Sequence, residues 1–315
     1  MANSSLKVAF QMDPMETVNI HGDSTFALML EAEKRGHALW HYDVNDMTYR
    51  DGDVIALARP VSVKNNEGDH FDFGPAETVD LRDMDVIWMR QDPPFDMAYI
   101  TATHLLDLIA DDTLVLNNPS EVRNAPEKLF SLEFKDLMPA TMITRREEDV
   151  RAFRDVHGDI IVKPLFGNGG VGVFHLKKDD SNLGSLMEMF LGASREPVMV
   201  QEFLPEVVRG DKRIILVDGE AVGAINRVPA DGEIRSNLVA GGTAIQSGLT
   251  AREQEICDRL KPELKKRGLL FVGIDVIGDW LTEINVTSPT GLLAINKFDG
   301  VCLEATIWDA LEAKL

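Results

Sequence analysis

Three things are scarce in this chain of 315 residues: cysteine, surplus positive charge and long apolar runs. Cys257 and Cys302 are the only cysteines, too few for a disulfide framework and not spaced as metal ligands. With 32 Lys and Arg against 52 Asp and Glu, the formal net charge is −20. Nucleic acid and anionic membranes both need a basic footprint, so neither is expected as a partner. An anionic substrate would have to be held by locally placed cations. No apolar run reaches the roughly 18 residues of a membrane span, and no signal peptide precedes the strand-like Leu6–Met12. A soluble, cytoplasmic protein is expected. Internal repeats and low-complexity segments are missing too. What is present, at 44% hydrophobic, is enough apolar matter for two or three cores.

The first hundred or so residues alternate strand and helix patterns. Leu6–Met12 reads as a strand, and Asp23 or Ser24 caps a helix that ends before Gly36. His37–Tyr42, Val54–Ala58, Asp85–Met89 and Leu114–Leu116 read as further strands, with a helix from about Asp96 to Ala110. Such alternation predicts an α/β fold with an open parallel sheet, whose ligands sit at the strands' carboxyl ends. Arg90 and Asp13 lie just beyond two such ends, as site residues or as members of surface salt bridges. From about Asn118 the character changes. Helices are expected at 124–135, 147–157, 182–192, 250–267 and 301–314, among β segments at 140–143, 159–163, 171–176, 198–202, 211–228 and 269–286. Val228–Gly248 is polar and lacks periodicity, and is read as a mobile binding loop.

Phe271–Thr290 is the most informative stretch. Two apolar runs flank Gly278-Asp279-Trp280 and predict a β-hairpin. A turn centred on Asp279 sets Asp275 opposite Glu283, with Asn285 on the same face. Opposed Cβ atoms are roughly 5 Å apart, where two carboxylates repel by about 3 kcal/mol at an effective dielectric near 20. A positive group between them relieves this, and two carboxylates plus an amide oxygen suit Mg²⁺. An edge hairpin with solvated acids is the other reading.

Gly167, Gly169, Gly170 and Gly172 formally satisfy G-x-G-x-x-G, but a strand rather than a helix follows, so this is no dinucleotide fingerprint. Nor does Lys-Ser/Thr follow, as a Walker A loop requires. What remains is a strand–turn–strand flap, either a plain hairpin turn or a backbone cradle for phosphate oxygens. Lys163 ends the strand before it, placed to neutralise phosphates. Lys128 follows Asn124-Ala-Pro-Glu127, which has the spacing of a capping box. The strand through Gln201, Glu202, Phe203 and Leu204 breaks at Pro205, freeing backbone groups for an adenine edge. Asp211 and Arg213 share a strand face, one suited to ribose hydroxyls and the other to a phosphate or carboxylate, or the two form an ordinary pair.

In this order, Lys128, Lys163, the glycine flap, Gln201–Leu204, Asp211-Lys-Arg213 and the Asp275/Glu283/Asn285 hairpin resemble the ATP-grasp enzymes. Met89-Arg-Gln-Asp-Pro-Pro-Phe-Asp96, Asn237-Leu-Val-Ala-Gly-Gly242 and Thr282-Glu-Ile-Asn-Val-Thr-Ser-Pro-Thr290 look like the bacterial glutathione synthetase family, over nearly the whole chain. The resemblance implies an ATP-grasp fold: an N-terminal α/β substrate domain (1–122), a central subdomain carrying the flap (123–204) and a C-terminal subdomain with the metal hairpin (205–315), the latter two clamping ATP. It implies ligation of γ-glutamylcysteine to glycine through an acyl phosphate. Lys128, Lys163 and the glycines Gly167, Gly169 and Gly170 would hold ATP phosphates, Gln201–Leu204 the adenine and Asp211 the ribose. Arg213, with Lys163 and Asn285, would serve the phosphoryl transfer, and Asp275, Glu283 and Asn285 would hold two Mg²⁺, with Mn²⁺ as a substitute. Arg90, Arg235, Asn237, Ser288 and Thr290 would meet the peptide, and 228–248 would be a lid. Family members are typically homotetramers.

The chain departs from the family's usual residues at Gln91, Phe166, Asn168 and Thr243. These bear on acceptor amine and turnover more than on reaction class. Another carboxylate–amine ligase, or a silent nucleotide-binding protein on the same scaffold, are the competing functions.

Overall fold

Strand–helix alternation at the front of the chain builds a sheet, as expected, and then extends it. The computed structural model describes residues 5–167, 169–237 and 241–315. The first unit comprises β1 (Lys7–Gln11), α1 (Ser24–Lys34), β2 (Ala38–Tyr42), β3 (Met47–Arg50), β4 (Asp53–Val63), β5 (Phe71–Phe73), β6 (Glu77–Asp80), β7 (Val86–Met89), α2 (Met97–Asp107) and β8 (Leu114–Leu116). Asp23 and Asp96 cap α1 and α2 with their carboxylates. β2, β1, β7 and β8 are mutually parallel, which is the open sheet the alternation predicts. Beyond β2 the sheet turns antiparallel: β4 pairs with β2, β3, β5 and β6. An Asp51-Gly52 turn with positive φ at both residues joins β3 to β4, the chemistry a tight hairpin needs. The sheet is therefore mixed.

The expected helix 124–135 is broken in two, and Asn124 is not its cap. Asn118 caps α3 (Pro119–Asn124), accepting from the Glu121 N–H, and Pro119 occupies the first turn. Pro126 forbids Ala125 a helical conformation, so the chain restarts as the single turn α4 (Glu127–Phe130), without the capping box.

A second sheet follows from β9 (Thr141–Thr144), α5 (Glu147–His157), β10 (Ile160–Pro164), β11 (Phe174–Leu176), α6 (Leu183–Ala193) and β12 (Val198–Glu202), in the antiparallel order β11-β10-β12-β9. The third contains β13 (Asp211–Val217), β14 (Glu220–Val228), β15 (Thr243–Gln246), α7 (Ala251–Lys266), β16 (Phe271–Ile277) and β17 (Trp280–Asn285), in the order β15-β14-β13-β16-β17. Helices α8 (Leu292–Asp299) and α9 (Leu303–Glu312) close the chain. The structureless reading of 228–248 misses β15, which extends the sheet by pairing Thr243 with Val228. Residues 238–240 of that segment, and Asn168, lie outside the described residues.

The cores are divided unequally. Residues of the first and third sheets share two hydrophobic clusters, with Trp308 of α9 packed on Trp88 and bonded to the Leu28 carbonyl. The central sheet keeps its own cluster around Val150, Ile160, Val162, Met187 and Val200. First and third sheets therefore form one body, with the central sheet attached across fewer apolar contacts. Among the described residues, no helix is long and apolar enough to cross a membrane.

Candidate functional site

The β16–β17 hairpin turns on two residues, Gly278 and Asp279, not on a turn centred on Asp279. A regular ladder from that turn would set Asp275 opposite Thr282. A bulge shifts the register by one, and Asp275 faces Glu283 after all, with Asn285 opposite Gly273. The Thr282 hydroxyl donates to the Asp275 carbonyl at 3.1 Å across the irregularity.

The positive charge between these acids comes from four side chains. Arg213, directly across from Asp275 on β13, donates Nε to Oδ1 at 2.5 Å and Nη2 to Oδ2 at 2.9 Å. Arg227 of β14 approaches the same carboxylate at 2.9 Å. Burial would raise the Asp275 pKa, but the two guanidinium groups outweigh it and hold the carboxyl well below the usual range. Glu283 lies 3.4 Å from Lys163 and 3.7 Å from Lys128. Burial pushes Glu283 up as well, and the two ammonium groups bring it back below its ordinary value. The electrostatic premise drawn from the sequence, that opposed acids need a cation, is thus met by the protein itself.

Lys128 is buried on α4. It donates to the Gly167 carbonyl at 2.8 Å and contacts the Glu127 carboxylate. Glu127 is pushed up to about 7 by burial and by Glu283 facing it. At Gly170 the φ of +78° favours glycine, and a Cβ there would come within 2.8 Å of the Asn237 Oδ1 and push that side chain aside. Asp211 sits under a different cation from the one sequence proximity suggests. Its carboxylate pairs with Arg227 at 2.7 Å and accepts from the Ser236 hydroxyl at 3.1 Å. Burial pushes it up to about 6 in spite of Arg227.

These groups converge on one cavity of about 420 Å³. Lys128, Lys163, Arg213, Asp211, Glu283 and Asn285 line it, as do Gly167, Gly169 and Gly170 from the flap. Gln201, Glu202, Phe203 and Leu204 form another wall, and Arg235, Asn237, Ser288 and Thr290 lie along the edge. Asp13, Arg90, Gly172 and Asp275, all singled out from the sequence, are not in its lining. Asp275 is buried behind Arg213. Arg90 is one layer back, donating to Thr25 Oγ1 and to the carbonyls of Thr287 and Pro289. Glu202 and Phe203 direct their N–H groups to the Ala140 and Asp159 carbonyls, so those two donors are engaged within the sheet.

Sequence reasoning missed Arg227 and Glu127. Arg227 stands opposite Asp211 in the β13–β14 ladder, and a lone Arg closing the apolar run Ala224-Ile-Asn-Arg227 was the one signal that could have found it. Glu127 was absorbed by the cap that Pro126 rules out.

A family model described as "Prokaryotic glutathione synthetase, ATP-grasp domain" matches residues 127–300, and one described as "Prokaryotic glutathione synthetase, N-terminal domain" matches residues 6–123. The glutathione synthetase of Agrobacterium fabrum is 57% identical over 307 residues, covering 98% of this chain and 96% of that protein. That of Rhodopseudomonas palustris is 56% identical over 310 residues, covering 98% and 99%. Among solved structures, D-cycloserine synthetase DcsG has a TM-score of 0.68 at 15% identity over 98% of this chain and 99% of that one. The ATP-grasp ligase PsnB, complexed with a precursor variant, Mg and ADP, has a TM-score of 0.61 at 19% identity over 98% of each chain. Likeness at such identities speaks for the fold.

Proposed function

The chain belongs to the prokaryotic glutathione synthetase family, and on that footing we propose how its cavity carries out the family's reaction. The reaction joins γ-glutamylcysteine to glycine, with ATP converted to ADP and phosphate. The observation that carries the reading is the convergence of Lys128, Lys163, Arg213 and a glycine turn on the hairpin acids in one cavity.

The cysteinyl carboxylate attacks the γ-phosphorus, ADP leaves, and an acyl phosphate forms. The glycine amine then attacks the acyl carbon and phosphate leaves. No protein nucleophile is called for, and the buried Cys257, its thiol pushed up to about 12 by burial, would be a poor one. The protein's part is positioning and charge neutralisation. Lys128 and Lys163 hold the phosphates, and the backbone of the glycine turn closes on them. Leu204 and the segment's carbonyl oxygens read the adenine edge, since the N–H groups of Glu202 and Phe203 are engaged. Asp211, fixed by Arg227, takes the ribose hydroxyls. Arg235, Asn237, Ser288 and Thr290 hold the peptide's charged ends, and Arg90 fixes the Thr287 and Pro289 carbonyls beside them. The 228–248 segment excludes water from the acyl phosphate.

Two Mg²⁺, or Mn²⁺ in their place, fit the donors. Glu283 and Asn285 offer hard oxygens in the cavity. The Asn285 Nδ2 is buried without a hydrogen-bond partner among the described residues, and reversing the amide puts an acceptor oxygen there. Asp275, paired with Arg213 and Arg227 outside the lining, would complete the set if Arg213 bound a phosphate instead, the other anion a guanidinium takes in bidentate fashion. When bound, the ions neutralise phosphate charge. Residues 1–122, 123–204 and 205–315 act as substrate domain, flap-bearing subdomain and metal-hairpin subdomain of a cytoplasmic homotetramer.

The test is ADP release with γ-glutamylcysteine, with and without glycine. Release that requires both is expected. Release that ignores γ-glutamylcysteine, or proceeds as fast with alanine or glutamate in place of glycine, would overturn the assignment.

A further inference from the structure

We infer that Phe166 is a positioning residue for Lys128, docking the root of the glycine turn onto the N-terminal unit; this rests on the phosphate-binding role proposed for Lys128. Phe166 is 39% exposed, yet its ring is not idle. It stacks on Phe95, with ring centroids 6.1 Å apart and planes at 22°. Phe95 in turn packs against Tyr99, at 5.1 Å and 39°. Tyr99 is buried on α2, inside the hydrophobic cluster shared by the first and third sheets. The three rings therefore run from that common core to the loop that leaves β10.

The stack acts on Lys128 through the neighbouring peptide. The next residue, Gly167, offers the carbonyl that accepts from Lys128 Nζ at 2.8 Å. The other contacts of that ammonium are the carboxylates of Glu127 and Glu283, both in the cavity wall. Two acids pull Lys128 toward them, and the Gly167 carbonyl is the neutral ligand that fixes where between them it stands. Glycine has no side chain with which to anchor its own peptide. Phe166 ties this peptide to the N-terminal unit, while the preceding Leu165 is buried and Pro164 packs beside Gly167. Pro93 and Asp92, on the same loop as Phe95, line the cavity.

An offset aromatic pair adds a modest increment beyond its buried area, which predicts a roughly two- to tenfold weakening of nucleotide binding when it is lost. The experiment is calorimetric titration of ADP, in the presence of magnesium, into the full chain and its Phe166→Ala, Phe166→Tyr, Phe95→Leu and Phe95→Leu/Phe166→Ala variants. Phe166→Ala weakens ADP by that factor, Phe166→Tyr restores it, and the double variant is no worse than Phe166→Ala alone. Unchanged ADP affinity in Phe166→Ala, additive losses in the double variant, or a melting-temperature change without an affinity change would overturn the inference. If the unaltered chain fails to ligate γ-glutamylcysteine to glycine, it is the proposed function that fails. If it ligates normally while Phe166→Ala binds ADP equally well, only the role of Phe166 falls.

Discussion

Replacing Arg227 by Met should destabilise the protein by an amount that grows with pH. Arg227 is almost fully buried and forms ion pairs with two carboxylates, Asp211 at 2.7 Å and Asp275 at 2.9 Å. Removing one member of a buried ion pair costs about 3–5 kcal/mol, because a desolvated charge is left behind. The lower end applies here. Asp275 keeps both bonds from Arg213, and Asp211 keeps the Ser236 hydroxyl. The pH dependence comes from Asp211, which burial pushes up to about 6. Its pKa is raised on folding, so the folded state holds a proton that the unfolded chain has lost between about pH 4 and 6, and stability falls as pH rises through that window. Without Arg227 the folded pKa moves higher, and the fall continues past pH 7. At pH 5 Asp211 is largely protonated in both proteins and the pair is worth less. Urea unfolding followed by tryptophan fluorescence should therefore show a deficit of about 3 kcal/mol at pH 8, shrinking to about half at pH 5, where mainly the Asp275 contact is missed. A deficit below about 1 kcal/mol at pH 8, or one equal at both pH values, would refute the account of this buried cluster.

Glu283→Ala removes the acid facing Lys128 and Lys163 and should abolish ADP release while circular dichroism stays unchanged; normal turnover would rule out Glu283 as a metal ligand. Lys163→Ala should weaken ATP binding more than tenfold, a direct phosphate contact being worth at least about 1.4 kcal/mol. Equilibrium titration checks it, and an unaltered dissociation constant would contradict the role. Gly170→Ala combines a positive φ with a Cβ that meets Asn237, so a loss of about 1–2 kcal/mol is expected, read as a rise in the Michaelis constant for ATP. Wild-type kinetics would mean that the contact between the turn and Asn237 does not matter to the nucleotide.

Much of this was legible because the relevant signals are local. Alternating elements, the Asp23 cap and the two apolar runs of the β16–β17 hairpin depend on neighbours in sequence, and they appear where periodicity and cap chemistry put them. The antiparallel extension around β4 was less legible. β5 and β6 are three- and four-residue strands, too short to show a period, and they exist by pairing with β4. The Asp275–Glu283 register was reached for an incomplete reason, since it depends on a bulge that no local pattern announces. The capping box at Asn124 failed because a spacing rule ignored the proline inside it. Arg227 was invisible for a topological reason: its two carboxylates lie 16 and 48 residues away, and only the β14-β13-β16 order brings them together.

That order also changes what the acids say. Read along the sequence, the opposed carboxylates call for a cation or for solvent. In the folded chain Asp211, Asp275, Glu283 and Glu127 are matched by Arg227, Arg213, Lys163 and Lys128, four against four, so this cluster is paired before any ligand arrives. A nucleoside triphosphate would bring roughly four negative charges, and the two divalent ions proposed with it about four positive ones, so entering together they would leave that balance intact. Either alone upsets it, because charges in a poorly solvated cleft are screened far less than on the surface. Four pairs are a local near-balance in a chain whose net charge is −20. The surplus acidity lies elsewhere, and the cleft's own cations, held in register by the third sheet, are what allow a strongly acidic protein to accept a polyanion.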